Sequence, residues 1–297
     1  MDNNHHSGYA ALIGRPNVGK STLMNQLIGQ KLAITSHKPQ TTRHSILGIK
    51  TLLHGQVDYL DTPGIHRRGS HAMNRYLNRT ANAVLQDVDV IVFVVQAGVW
   101  NNEDELVLKQ VKKSSRPIIL VINKIDLVED KESLLPYMEM LGSQHDFLQV
   151  IPVSAKNGNQ LDTLEENILA ALPEGENIFP EDQLTDRSER FFAAELIREQ
   201  LTRHYHMELP YAASVEIESF AEEPKLYRIH ALIWVERQGQ KNILIGNKGE
   251  ALKKVGTLAR QSMEKFFQKK VFLKIWVKVK KNWSDDENAI ARLGYKD

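Results

Sequence analysis

The sequence predicts an α/β chain of two parts: a doubly wound sheet first, then a smaller α+β domain. Three observations carry this. Short apolar runs alternate with helical stretches through the first 172 residues. A glycine-rich turn, Gly14-Arg15-Pro16-Asn17-Val18-Gly19-Lys20-Ser21, follows the first of those runs and opens a helix. From 187 onward the order is helix, strand, strand, helix, helix, strand, with basic charge concentrated in its second half.

Tyr9 to Ile13 is a short apolar strand, and Asn17 to Ile28 has helical spacing with Leu23, Leu27 and Ile28 on one face. Gln56 to Leu60 alternates and ends at Asp61. Val88–Val95, Pro117–Ile122 and Gln149–Val153 are apolar runs rich in β-branched residues, as in strands buried on both faces of a parallel sheet. Helical stretches fall near 71–86, 103–114, 131–145 and 161–172. Pro173 to Asp186 is polar and acidic, with Pro173, Gly175 and Pro180, and reads as a linker. The domains are therefore expected at 1–172 and 187–297. In the second, Arg187–His206 is helical, and Ala213–Phe220 and Tyr227–Val235 alternate. A short helix near 241–245, a turn at Gly246–Gly249, a helix to about 268 and a strand at Val271–Val279 follow. Ile243, Ile245, Leu252, Val255, Leu258, Val271, Leu273, Ile275 and Val277 are expected in its core.

Composition excludes several classes. The chain has 297 residues and no cysteine, so no disulfide framework is available. Met1 to Gly8 lacks the apolar core of a signal peptide. The longest apolar run, Val90–Val95, is far short of the roughly 20 residues that span a bilayer. Charge is uneven. Residues 1–186 carry 17 Lys and Arg against 22 Asp and Glu, whereas 187–297 carry 21 against 15. Within 241–281 there are 12 basic residues and two acids, Glu250 and Glu264, interleaved with aromatics, a pattern that favours a polyanion partner.

The motifs give the chemistry. In the P-loop Gly14–Ser21, backbone N–H groups and the helix N-terminus cradle phosphates. Lys20 reaches the β- and γ-phosphates and Ser21 ligates magnesium. Asp61-Thr62-Pro63-Gly64 ends a strand: Asp61 holds the metal, and Gly64 brings its N–H to the γ-phosphate. Asn123-Lys124-Ile125-Asp126 reads guanine. The Asp126 carboxylate accepts from N1–H and the 2-amino group, which adenine does not offer in that arrangement. Lys124 lies over the base and Asn123 ties the loops together. Ser154-Ala155-Lys156 follows the last strand of the domain, and the N–H of Ala155 is expected to face the guanine O6. Between the P-loop and Asp61, Thr42 is assigned to close on magnesium, with Thr41 the alternative. Some GTPases place a glutamine after Asp-x-x-Gly to orient the attacking water; here that position is Ile65, so water must be placed by other means. The predicted first domain is thus a P-loop GTPase domain using GTP, GDP and Mg2+.

Ile245-Gly246-Asn247-Lys248-Gly249 sits between two helical segments, the setting of a type II KH domain, whose GXXG loop clamps about four nucleotides by their backbone. Lys253, Lys254 and Arg260 on the next helix and Lys274, Lys278 and Lys280 on the last strand complete the expected RNA-binding set, with Trp276 and Trp283 nearby.

Gly-Arg-Pro-Asn-Val-Gly-Lys-Ser, Gln-Thr-Thr-Arg (40–43) and Ile-Gly-Asn-Lys-Gly occur in that order, and from about Tyr9 to Lys296 the chain resembles the translation-factor-related GTPases that carry a C-terminal KH domain. The resemblance implies GTP hydrolysis, binding to the 3′ end of 16S ribosomal RNA and action on the assembling 30S subunit. It also implies a cytoplasmic monomer with peripheral association at the inner membrane face. In similar GTPases an asparagine at the position of Asn17 helps bind potassium; Asn17 is either such a ligand or a turn residue. Three other readings use the same features: a passive RNA-binding protein in which GTP stabilises the fold, a signalling GTPase whose basic face meets anionic lipid, and a tRNA-modifying GTPase, though such enzymes need a second catalytic centre and this chain lacks the cysteines many of them use.

Overall fold

The computed structural model describes residues 5–38, 41–64, 72–85, 87–205, 209–281 and 283–285. Ile65 and the polar stretch 66–71 lie outside the described residues, as do Pro39 and Gln40. The fold divides after Asp186 into two compact units, with 72–76 grouped with the second.

The first unit contains β1 (His6–Ile13), α1 (Lys20–Ile28), β2 (Ile46–Leu52), β3 (Gly55–Asp61) and most of α2 (Ala72–Val84), then β4 (Val90–Gln96) and α3 (Asn102–Val111). It continues through β5 (Ile118–Asn123), α4 (Leu134–Gly142), β6 (Gln149–Pro152) and α5 (Leu161–Ala171). The strands form one sheet in the order β2-β3-β1-β4-β5-β6. Every pairing is parallel except that of β2, which runs antiparallel to β3. The sheet is therefore mixed: the strands read from the sequence pair in parallel, and β2 adds an antiparallel edge. β2 escapes a sequence reading because Gly48 and Lys50-Thr51 interrupt its apolar pattern. The central strands behave as their composition demands: Val90 to Val95 and Ile119 to Ile122 are buried on both faces.

The segment after α5 is bound to this sheet. His6 Nδ1 meets the Leu172 carbonyl at 2.7 Å, and Ser7 donates its N–H to Pro173. The buried Gln56 side chain makes two 2.9 Å bonds to the Phe179 backbone. Ile49 N–H donates to Leu184, and Thr185 Oγ1 donates to the Leu47 carbonyl. The stretch read as a linker thus straps the outer edge of β2, satisfying backbone groups that an edge strand would leave open.

β3 also carries a buried carboxylate. Asp58 is fully buried, neither of its oxygens has a hydrogen-bond partner among the described residues, and burial pushes its pKa up to about 7. In the unfolded chain the group ionises near 4. Between those values the folded state holds a proton that the unfolded state has lost, so stability falls as pH rises and levels off above about 7. Asp58→Asn is expected to melt higher than the parent at pH 8, with a smaller advantage at pH 5. Thermal melts at the two pH values test this; an advantage independent of pH would refute it.

The second unit is built from α6 (Glu189–His204), α7 (Leu209–Ala212), β7 (Ser214–Glu222), β8 (Leu226–Val235), α8 (Gln238–Ile245), α9 (Glu250–Phe267) and β9 (Lys270–Val279). β7 and β8 are antiparallel neighbours, and β9 joins the other side of β8 in parallel. The parallel joint needs a crossover, which α8 and α9 supply. The helices cover one sheet face around Leu196, Ile197, Ile229, Ile233, Leu244, Val255, Ala259, Met263, Val271 and Val277. Two expectations change. Ile243 is 61% exposed, because it lies on the outer side of the short α8. Trp283 is fully buried and donates from Nε1 to the Ala212 carbonyl at 3.1 Å, so it serves the core.

Candidate nucleotide site and nucleic-acid groove

In this sheet β3 lies on one side of β1 and β4 on the other. The crevice beyond the carboxyl ends of the strands at such a reversal is where open α/β sheets bind ligands. The P-loop follows β1, Asp61 ends β3, Asn123 ends β5 and Ser154 follows β6. The motifs, up to 140 positions apart in sequence, therefore meet at one edge of the sheet.

A cavity of about 60 Å³ opens there, lined among others by Asn17, Lys20, Ser21, Lys38, Thr42 and Gly64. Lys20 is buried, and its Nζ donates to the Gly14 and Arg15 carbonyls at 3.0 Å each. Burial lowers its pKa to about 8; Asp61 opposes that shift and Arg15 adds to it. Ser21 Oγ donates to Asp61 Oδ2 at 2.6 Å and lies 2.8 Å from Thr42 Oγ1, which reaches the same carboxylate oxygen at 3.3 Å. The other oxygen, Asp61 Oδ1, is buried and has no hydrogen-bond partner among the described residues. Burial raises the Asp61 pKa, while Lys20, Ser21 and Thr42 pull it down. Two hydroxyls and a carboxylate with an unsatisfied oxygen form an all-oxygen donor set, which suits a hard cation such as magnesium.

Gly64 packs against the P-loop so closely that a Cβ would lie 2.7 Å from the Pro16 nitrogen. Thr62 Oγ1 donates to the Leu12 carbonyl on β1, fixing the turn on which Pro63 and Gly64 sit. Asn17 is left-handed at φ 64°, and its Nδ2 donates to the His37 carbonyl at 2.9 Å. Its side chain thus bridges the P-loop to the segment that leads to Thr42.

On the opposite side of the P-loop, Asn123 Nδ2 donates to the Val18 carbonyl at 2.9 Å. Its Oδ1 accepts from the N–H groups of Lys124 and Ala155. The Ala155 N–H expected to face guanine is thus engaged by Asn123. Ser154 Oγ donates to Asp126 Oδ1 at 2.6 Å, orienting the carboxylate. Lys124, left-handed at φ 65°, reaches back to the Asn17 carbonyl at 2.6 Å and to Gln96 Oε1 at 3.0 Å. Lys156 is exposed beyond this cluster.

Two supporting residues escape the motifs. Asp104, fully buried, takes Arg15 Nε at 3.0 Å and also caps its own helix by accepting the Asn101 N–H. Gln96 holds Lys124 with its side chain and accepts from Tyr137 Oη with its carbonyl. Both act across elements distant in sequence. The signals were a capping box at Asn101–Asp104 and a lone amide ending an apolar strand.

The second unit has its own site. Gly246 (φ 72°) and Gly249 (φ 83°) bracket Lys248, itself at φ 49°, between α8 and α9. A Cβ on Gly246 would lie 2.6 Å from that of Ala251. Beside this turn runs a groove of about 350 Å³ lined by Gly249, Leu252, Lys253, Arg260, Leu273 and Ile275, among others. The expected RNA set splits here. Lys253 and Arg260 line the groove, and Asn247 and Lys248 are exposed at its mouth. Lys254 is exposed on α9 but does not line it. Lys274 and Lys278 alternate with Leu273 and Ile275 and stand on the other face of β9. Lys280 lies just past the strand, its N–H bonded to Val235. Leu252, Leu273 and Ile275, expected in the core, form the apolar floor of the groove.

A doubly wound domain with a P-loop, a metal-type hydroxyl and carboxylate cluster and a guanine-type NKxD loop, joined to a GXXG-bearing α+β domain, defines a GTPase with an RNA-binding module. Family models agree: residues 9–124 match a family described as 50S ribosome-binding GTPase, and residues 208–284 match the KH domain. GTPase Era of Pseudomonas aeruginosa is 56% identical over 290 residues, covering 98% of this chain and 95% of that protein. Era of Azotobacter vinelandii is 54% identical over 296 residues, covering 100% and 99%. This chain belongs to the GTPase Era family. Among solved structures it is similar to Aquifex aeolicus Era bound to GDP·AlF4−, with 37% identity, TM-score 0.94 and coverage of 98% and 99%. It is equally similar, at TM-score 0.95, to Era in complex with MgGDPNP and nucleotides 1506–1542 of 16S ribosomal RNA, again 37% identical with coverage of 98% and 99%.

Proposed function

We propose that this protein is a GTP-hydrolysing switch that binds 16S ribosomal RNA near its 3′ end and assists assembly of the small (30S) ribosomal subunit. The observation that carries the reading is the convergence of Ser21, Thr42 and Asp61, with one buried carboxylate oxygen left open, beside a buried Lys20. The binding of an RNA of that region by the similar Era complex supports the target.

Lys20, which now donates to two P-loop carbonyls, would turn its ammonium to the β- and γ-phosphates. The Gly64 N–H would meet the γ-phosphate. Asp126, steadied by Ser154, would accept from the guanine edge. Ser21, Thr42 and Asp61 would hold Mg2+, which neutralises charge on the β- and γ-oxygens. With Ile65 unable to orient water, added positive charge near the phosphates would be needed, and K+ held with the help of Asn17 would supply it. The GXXG turn would clamp the RNA backbone while Lys253 and Arg260 meet phosphates. Residues 1–172 would act as the GTPase part, 187–297 as the RNA-binding part. No described helix is long and apolar enough to cross a membrane, so attachment to the inner membrane face would be peripheral, through the basic second unit.

GTP turnover measured in potassium or sodium, with and without a single-stranded RNA from the 16S 3′ end, tests the reading. Stimulation by RNA, lost in Lys248→Glu, and a potassium requirement are expected. Turnover that stays negligible with both would favour a passive RNA-binding protein.

A further inference from the structure

Among the described residues, the sheet of the second unit has a face that its helices do not cover. Strand alternation puts Lys270, Phe272, Lys274, Trp276 and Lys278 in one row on β9, all exposed. Their register partners on β8 are Leu226, Arg228, His230, Leu232 and Trp234. Phe272 is 44% exposed and Trp276 is 36% exposed, which is high for rings of that size. Each has a cation above it: Arg228 Cζ lies 4.9 Å from the Phe272 centroid, and Lys274 Nζ lies 4.9 Å from that of Trp276. His230 stands between the two rings at 6.5 and 5.4 Å, at steep angles of 62° and 81°. The face is separate from the groove, whose floor is made by the alternate residues Leu273 and Ile275.

Charge selects the partner. From Lys269 to Lys281 the chain has six lysines and no acid. The carboxylates of the face lie toward β7: Glu216 accepts from Trp234 Nε1, Glu218 sits 3.5 Å from Lys278, and Glu223 pairs with Arg228. The β9 row itself is a run of lysines with two aromatic rings between them. Proteins that bind single-stranded nucleic acid combine these two features: cations along the backbone path and rings on which bases stack. Spacing separates single strand from duplex. Phe272 and Trp276 are four residues apart, about 13 Å along a strand. Successive nucleotides of a duplex strand advance only about 3.4 Å, so a regular stacked helix would not present neighbouring bases to both rings. An extended, unstacked strand can cover that distance in about two nucleotide steps, with its bases free to reach the rings.

We propose that this face is a second RNA-binding surface that takes single-stranded RNA, with bases on Phe272 and Trp276 and phosphates along Lys270, Lys274 and Lys278. It goes beyond the groove reading and is tested apart from it. Affinities of the full chain for a uridine 30-mer and a uridine 6-mer would be measured by fluorescence anisotropy. The parent would be compared with Phe272→Ala, Trp276→Ala, Trp276→Phe and Lys274→Gln, and with Lys248→Glu in the groove. A groove that clamps about four nucleotides can take the short probe alone. Phe272→Ala and Trp276→Ala should each weaken the 30-mer about fivefold or more and leave the 6-mer unchanged, with Trp276→Phe retaining most of the affinity. Lys274→Gln should reduce the salt slope for the 30-mer by about 0.7, one phosphate on a single strand. Unchanged 30-mer binding in both alanine variants would overturn the proposal. Equal weakening of both probes would also overturn it, since the effect would then pass through the groove. So would Trp276-dependent binding to phosphatidylglycerol vesicles with no change for RNA. Loss of 6-mer binding in Lys248→Glu reports on the groove alone.

Discussion

Lys20→Met is expected to lower GTP hydrolysis by about 10²–10³-fold or more while leaving the protein at least as stable as its parent. The two halves come from one observation. The Lys20 ammonium is buried, held by two backbone carbonyls at 3.0 Å, and its pKa is pushed down to about 8. The surroundings therefore penalise the charged form relative to water, even with Asp61 close by, although the ammonium stays mostly protonated at neutral pH. A buried cation is costly when its partners do not fully replace water. Methionine fills much of the same volume without charge and removes that cost. Placed against a phosphate chain, the same desolvated charge is a fixed donor where negative charge develops. Loss of one such preorganised donor costs about 10²–10³ in rate. Turnover and thermal melts of the nucleotide-free protein read the two effects. A variant that turns over within tenfold of the parent, or that melts much lower, would show that Lys20 is a structural cation.

How much of this was legible in the sequence depends on the range of each interaction. The P-loop, Asp61–Gly64 and Asn123–Asp126 were readable because each works through a short segment whose backbone turn is set locally. The order of helices and strands in the second unit was readable for the same reason. What required the third dimension was pairing across the sheet. β2 earns its place by pairing with β3 and by the 184–185 strap, neither of which its own residues announce. Arg15–Asp104 and Lys124–Gln96 join positions 89 and 28 residues apart. Alternation along β9 was written in the sequence all the same. It places Lys274 and Lys278 opposite Leu273 and Ile275, so the lysines and the groove floor cannot share one face. Counting basic residues hid that separation.

Asp126→Asn is expected to weaken GDP and GTP binding by as much as about 10⁴-fold and to create a preference for xanthine nucleotides. The loop that presents Asp126 is held from several sides. Asn123 bridges it to Val18 and Ala155, Lys124 ties it to Asn17 and Gln96, and Ser154 donates to Asp126 Oδ1 at 2.6 Å. An asparagine at 126 can still accept from Ser154 through its carbonyl oxygen, so the frame survives the change. What changes is the other end of the group. A carboxylate accepts from both N1–H and the 2-amino group of guanine. An amide turned to face that edge brings an N–H against the amino group, leaving two donors in conflict where water is excluded. Such an unpaired buried donor is what makes a polar recognition site selective. Xanthine carries a carbonyl where guanine carries the amino group, and the amide can donate to it. Competition between GDP and XDP, measured by calorimetry, separates this from general damage. Weak binding of both would mean the loop had lost its shape, and undiminished GDP binding would remove Asp126 from guanine recognition altogether.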